Sequence, residues 1–136
     1  MKDINLEIIT PEKAVFNDNV DSITIPGTLG GFQVLKNHAP LMSTFEIGVI
    51  TVKSGDDEIY FVTGGGSIEV LNNKVLILAD STERVEDIDV ERAELAKRRA
   101  EERLSKKKEE KIDEVRAKTA LDRAINRLNA ISRFKS

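Results

Sequence analysis

The chain of 136 residues contains no cysteine, one histidine and three prolines. The absence of cysteine removes any disulfide framework, any thiolate nucleophile and any cysteine-built zinc site. With His38 the sole histidine, a multi-histidine metal centre is also excluded, and no metal site is expected. No apolar run approaches the ~18 residues of a membrane-spanning helix. The opening Met1-Lys2-Asp3-Ile4-Asn5 lacks the basic start and the apolar stretch of a signal peptide. The expectation is a protein kept in a reducing compartment.

Glycine and proline are missing from the second half of the chain. All eight glycines and all three prolines lie at or before Gly66, and so do all the aromatics except Phe134. Past Ile88 the chain is rich in Glu, Lys, Arg, Ala and Leu, which are strong helix formers, whereas the first part supplies turn chemistry and β-branched residues. The shift predicts an α+β protein with an N-terminal antiparallel β-sandwich over residues 1–84. A C-terminal antiparallel hairpin of two helices follows over residues 88–136, with the join near residues 83–87. Charge divides the same way: residues 1–84 carry −6, residues 85–110 carry −1 and residues 111–136 carry +4, for a net −3. An acidic body with a basic tail predicts that the tail meets something negative; the plainer reading is a solvated helix face.

Period-two alternation marks the strands. Ile4, Leu6 and Ile8 alternate with polar residues, as do Ile23 and Ile25. Four further runs follow: Val49-Ile50-Thr51-Val52, Ile59-Tyr60-Phe61-Val62, Ile68-Glu69-Val70-Leu71 and Val75-Leu76-Ile77-Leu78-Ala79. Asn72-Asn73 between two of them reads as a two-residue hairpin, since Asn tolerates positive φ. Gly64-Gly65-Gly66 lacks the Lys-Ser/Thr of a phosphate loop and precedes a strand, so it reads as a bend or bulge. His38 has no nucleophile or second base near it in sequence and reads as a hydrogen-bonded loop residue.

In the helical part, Asp89 is placed to cap a helix beginning at Val90, with Glu91 favourable in the first turn. Ala93, Ala96, Ala100 and Leu104 recur at helical spacing, and a second helix from about Ile112 carries Ala117, Ala120, Leu121, Ala124, Leu128 and Ile131. The charged Ser105-Lys106-Lys107-Lys108-Glu109-Glu110 is the natural turn. A seam made mainly of alanine is shallow, because each alanine buries about one methyl, ~0.8 kcal/mol against ~1.5–3 for a leucine. Folded and opened forms of the pair are therefore expected to differ by only a few kcal/mol.

Arg92, Arg99 and Arg103 are spaced i, i+7, i+11, and Arg116, Arg123 and Arg127 repeat that spacing. Each set shares a helix face. Facing cations repel unless an anion lies between them, and guanidinium groups grip phosphate through a bidentate fork. The net charge of −3 and the scarcity of aromatics argue against nucleic acid. No constellation of nucleophile, base and oxyanion donors supports an enzyme.

Taken together, these residues resemble the epsilon subunits of bacterial F-type ATP synthases. The likeness is carried by Val20-Asp21-Ser22-Ile23, His38-Ala39-Pro40-Leu41, Gly64-Gly65 with Ile68-Glu69-Val70, Val75-Leu76-Ile77-Leu78-Ala79-Asp80 and Arg123-Ala124-Ile125-Asn126-Arg127-Leu128. The resemblance implies a non-catalytic rotor subunit that joins the gamma subunit to the ring of c subunits and needs no cofactor. It sits at the cytoplasmic side of the bacterial membrane, peripheral to it. Its helices would inhibit ATP hydrolysis in the alpha/beta catalytic head, with Arg116, Lys118, Arg123 and Arg127 meeting an acidic segment of a beta subunit. The motif Ile88-Asp89-Val90-Glu91-Arg92-Ala93 implies ATP as a regulatory ligand. Ile88, Asp89, Arg92 and Ala93 would hold it together with Glu83, Arg123 and Arg127, with Arg99 a further candidate. The c-ring contact is expected at Gly30, Gly31 and His38, within the 27–41 loop. The alternative is a free-standing ATP-sensing module, which would not co-purify with a gamma subunit.

Overall fold

The computed structural model describes residues 2–106 and 114–135. The chain divides into two compact units, Met1–Arg84 and Val85–Ser136.

The first unit is a sandwich of two five-stranded sheets. In chain order the strands are β1 (Ile4–Ile9), β2 (Ala14–Val20), β3 (Ser22–Ile25), β4 (Phe32–Val34), β5 (Leu41–Phe45), β6 (Gly48–Ser54), β7 (Asp57–Thr63), β8 (Gly66–Leu71), β9 (Lys74–Ala79) and β10 (Thr82–Arg84). One sheet runs β2-β1-β9-β8-β5 and the other β10-β7-β6-β3-β4. The alternating residues of β1 point inward as their spacing requires: Ile4, Leu6 and Ile8 are buried, and they meet Ile23, Ile25, Ile50, Val52, Phe61, Ile68, Val70 and Ile77 in one core. Arg84 closes one part of it, its guanidinium 5.9 Å from the Phe16 ring centroid and 5.8 Å from that of Phe61.

Two features differ from the sequence expectation. The sandwich is not wholly antiparallel: β1 pairs with β9 in parallel, from Asn5 opposite Lys74 to Ile9 opposite Leu78. The strands β2, β4, β5 and β10 also lie outside the alternating runs seen in the sequence. All four are sheet edges, where a strand has one partner and buries less; β2 buries only Val20. A weak burial requirement leaves a weak pattern.

The turn chemistry behaves as its residues dictate. Asn72 and Asn73 take φ of 50° and 62° and join β8 to β9 in a two-residue loop closed by Leu71 opposite Lys74. The glycine run carries the chain from β7 in one sheet to β8 in the other. Gly65 has φ 105° and its amide donates to Thr63 Oγ1 at 3.2 Å. A Cβ on Gly66 would stand 2.1 Å from the carbonyl oxygen of Leu78.

The second unit opens with a 3₁₀ turn (Val85–Asp87) and continues as α1 (Val90–Ser105) and α2 (Glu114–Phe134). Asp89 caps α1 in an extended conformation, its Oδ1 accepting the Arg92 amide at 3.2 Å. Ser105 falls inside α1 and Lys106 caps it; Lys107, Lys108, Glu109, Glu110 and Ile112, assigned above to the turn and the start of the second helix, lie outside the described residues.

Candidate functional site

Alanine forms the seam between α1 and α2. Ala93 and Ala100 on α1, with Ala117, Ala124 and Ala130 on α2, are the buried residues of the two helices. The larger side chains expected beside them, Leu104, Leu121, Leu128 and Ile131, are only half-buried. Ala96 and Ala120 line a cavity instead of closing the seam. Among the described residues, the fully buried contacts of the two helices are thus all methyl groups, each worth ~0.8 kcal/mol on burial.

That cavity, of about 510 Å³, is walled by Arg99, Arg103 and Lys106 with Glu102 among them, over a floor of Ala96, Ala100 and Ala120. The three cations follow one another at i, i+4 and i+7 along α1 and its C-cap, so their charges face one space. Among the described residues, Arg92, Arg99 and Arg103 make no ion pair. On α2, the Nε of Arg123 is fully buried and has no hydrogen-bond partner. A buried donor left unmatched costs of order 1–3 kcal/mol, and an anion seated between the helices would satisfy it.

The structure distributes the other residues singled out in the sequence as follows. Ile88 is buried, and its carbonyl accepts from Lys135 Nζ at 3.0 Å. Asp89 commits one carboxylate oxygen to the helix cap, leaving the other available. Ala93 sits in the seam, Arg92 is exposed and Arg127 is half-buried. Arg116 and Lys118 are exposed near the start of α2. Glu83 belongs to the other compact unit, opposite Val62 on β10. Arg103 was part of the arginine face read from the sequence, whereas Lys106, which continues the stripe of Arg99 and Arg103, and Lys135 were not anticipated as site residues.

On the sandwich, the structure separates Gly30 and Gly31 from His38. The glycines lie in the tip between β3 and β4, near the end of the sandwich where Gly27 bridges Phe45. Gly30 has φ 125°, and the neighbouring Leu29 is fully exposed. His38 lies after β4, at the end where Asn37 is tied to Asn73 of the β8–β9 turn. Its Nδ1 stands 2.7 Å from the Ala39 carbonyl, the contact of a hydrogen-bonded loop residue. These three residues therefore form no single patch, because β4 and the stretch after it, residues 32–37, run between the two ends.

A further surface lies on the outer face of the β2-β1-β9-β8-β5 sheet. Met42, Leu76 and Leu78 flank a cleft of about 340 Å³, with Glu69 and Ser67 between them. Met42 is 80% and Leu78 47% exposed. The sequence carried a signal for this: Val75-Leu76-Ile77-Leu78-Ala79 is continuously apolar where a strand with one wet face would alternate. Among the described residues no cluster of acidic or histidine side chains could hold a metal ion, and no helix is long and apolar enough to cross a membrane.

A helix pair with an alanine seam and a cationic cavity, and a sandwich with an apolar outer face, are surfaces suited to binding partners. The ATP synthase delta/epsilon chain β-sandwich model matches residues 3–85, and the delta/epsilon chain long α-helix model matches residues 86–132. The ATP synthase epsilon chain of Desulforamulus reducens is 45% identical over 125 residues, covering 92% of this chain and 94% of the relative. That of Nitratidesulfovibrio vulgaris is 46% identical over 127 residues, covering 93% and 94%. The fold is similar to a chain in the cryo-EM structure of the Euglena gracilis mitochondrial ATP synthase OSCP/F1/c-ring assembly, with TM-score 0.79 and 22% identity over 96% of this chain and 82% of that one. The chain belongs to the ATP synthase delta/epsilon family, as an epsilon-type, non-catalytic subunit of the central stalk.

Proposed function

We propose that the sandwich joins the gamma subunit to the c-ring and that the helical hairpin is a mobile inhibitor of ATP hydrolysis. The hairpin acts on the alpha/beta head, and ATP favours its compact form. The subunit works peripherally at the cytoplasmic side of a bacterial membrane. The observation that carries the regulatory part is the alanine seam, which leaves the two helices weakly joined.

Charge supports the same reading. Arg99 with Arg103 and Lys106, and the unmatched Nε of Arg123, give phosphates a place between the helices. Asp89 lies ten residues before Arg99, about 15 Å along the helix, so a base near Asp89 with phosphates at Arg99 calls for an extended nucleotide. ATP at a hundredfold excess over its Kd would add about 2.7 kcal/mol to the compact form, enough to govern a seam of methyl groups. In the opened form, Arg116, Lys118, Arg123 and Arg127 meet an acidic beta-subunit segment, where charge complementarity selects the partner. On the sandwich, the Met42–Leu78 face is assigned to gamma and the Gly30-Gly31 tip to the c-ring.

The test is ATP hydrolysis by the assembled complex with this subunit whole or truncated after Asp87. Truncation should leave assembly intact and raise hydrolysis. Loss of assembly, or unchanged hydrolysis, would reject the division of labour.

A further inference from the structure

The hairpin has a charged contact at the end remote from its turn. Lys135, just past α2, donates from Nζ to the Ile88 carbonyl at 3.0 Å in a part-buried position. This carbonyl has no place in the helical ladder, because the first hydrogen bond of α1 runs from the Ala93 amide to the carbonyl of Asp89, one residue later. Ile88 is only 3% exposed with Lys135 in place, while Lys135 is itself exposed, so the ammonium covers the carbonyl from the solvent side. Buried backbone carbonyls need a partner, and the two residues that meet are 47 positions apart. Opening the hairpin must break this bond, whereas fraying the ends near the turn need not.

We propose that Lys135 is the latch of the compact hairpin: its ammonium, seated on the Ile88 carbonyl, sets how often the two helices part. The proposal deepens the reading of the hairpin as a mobile element and names the residue that regulates it. Methyl-to-methyl contacts contribute little each and have no preferred direction. A charge-assisted hydrogen bond is stronger than a neutral one and sensitive to geometry. One such bond, spanning first and last turns, fixes the register of a seam that alanine alone leaves loose. It also puts a cation beside the Ile88-Asp89 segment, so the latch and a ligand held by that segment act on the same opening.

Amide hydrogen exchange on the full chain without nucleotide tests this. Lys135→Met should speed exchange in α1 and α2 by about tenfold, the factor given by ~1.4 kcal/mol, and leave the sandwich strands unchanged. Lys135→Arg should return the rate toward wild type, because a guanidinium can donate to the same carbonyl. Arg133→Met removes the same charge two positions away, together with the stacking of that guanidinium on the Phe134 ring at 4.9 Å, and should change exchange far less than Lys135→Met. Wild-type exchange in Lys135→Met would overturn the latch. Equal acceleration by Arg133→Met would overturn it too, reducing the effect to general charge at a helix end. A wild-type hairpin as protected as the sheets would defeat the mobile-hairpin reading instead, and the ratio of Lys135→Met to wild type would still judge the latch.

Discussion

Asn37 and Asn73 bind each other twice: the Asn37 amide donates to Asn73 Oδ1 at 2.6 Å, and Asn73 Nδ2 donates to Asn37 Oδ1 at 3.1 Å. Both residues take positive φ, 63° and 62°. The pair joins the loop that carries His38 to the β8–β9 turn, and the Asn73 carbonyl also accepts the Asn5 amide at 2.9 Å. Two loops and the first strand thus share one anchor.

Asn73→Gly keeps the backbone conformation accessible and removes only the side-chain bonds, so it should cost about 1 kcal/mol. Asn73→Ala loses the same bonds and must also hold positive φ, for a further ~1 kcal/mol. Urea unfolding of the two variants checks the order. Equal stabilities would show that backbone strain is not part of the cost.

Gly66 and Gly30 make a contrasting pair. A Cβ on Gly66 would meet the Leu78 carbonyl at 2.1 Å and the Ala79 Cα at 2.8 Å. Around Gly30 there is nothing within 4 Å. Gly66→Ala should therefore destabilise the sandwich by roughly 3 kcal/mol or more, since backbone must move. Gly30→Ala should cost only about 1 kcal/mol, from its φ. Thermal melts of both variants decide between them.

Asp21 Oδ2 accepts the Gly55 amide at 2.7 Å, and this bond holds its carboxyl below the ordinary value of 3.8. A folded-state pKa lowered in this way stabilises the protein above that ordinary value. The contribution fades as the pH falls below 3.8 and through the lowered folded value. Asp21→Asn should therefore be less stable than wild type at pH 7, and the gap should shrink toward pH 3. A gap independent of pH would place its cause elsewhere.

Ala124 is wholly buried in the seam. Ala124→Leu adds methylenes where the helices touch and should weaken the compact hairpin by about 1–3 kcal/mol. In the isolated chain, ATP binding measured by calorimetry should weaken with it, as it should in Arg99→Ala or Arg127→Ala. Unchanged affinity in all three would exclude a nucleotide between the helices.

Leu78→Lys places a charge on the apolar outer face without touching the core, because Leu78 is already 47% exposed. Folding should be preserved within about 0.5 kcal/mol, while co-purification with the gamma subunit should fall. Intact co-purification would move that contact to another face.

Much of this molecule was legible in the residues before any coordinates. The change from β-branched and glycine-bearing segments to Ala, Glu, Lys and Arg divides the chain, Asp89 marks its helix start, and Asn72-Asn73 marks its hairpin. Each depends on neighbours a few positions away, so local sterics and local hydrogen bonds are enough. The four edge strands were not legible, because a strand with one partner is only partly buried and places little demand on its residue types. Nor was the parallel pairing of β1 with β9, the separation of Gly30 from His38, or the reach of Lys135 to Ile88. Those relationships join distant stretches of chain, and they exist only once whole surfaces have packed and selected which donors and acceptors are left facing one another.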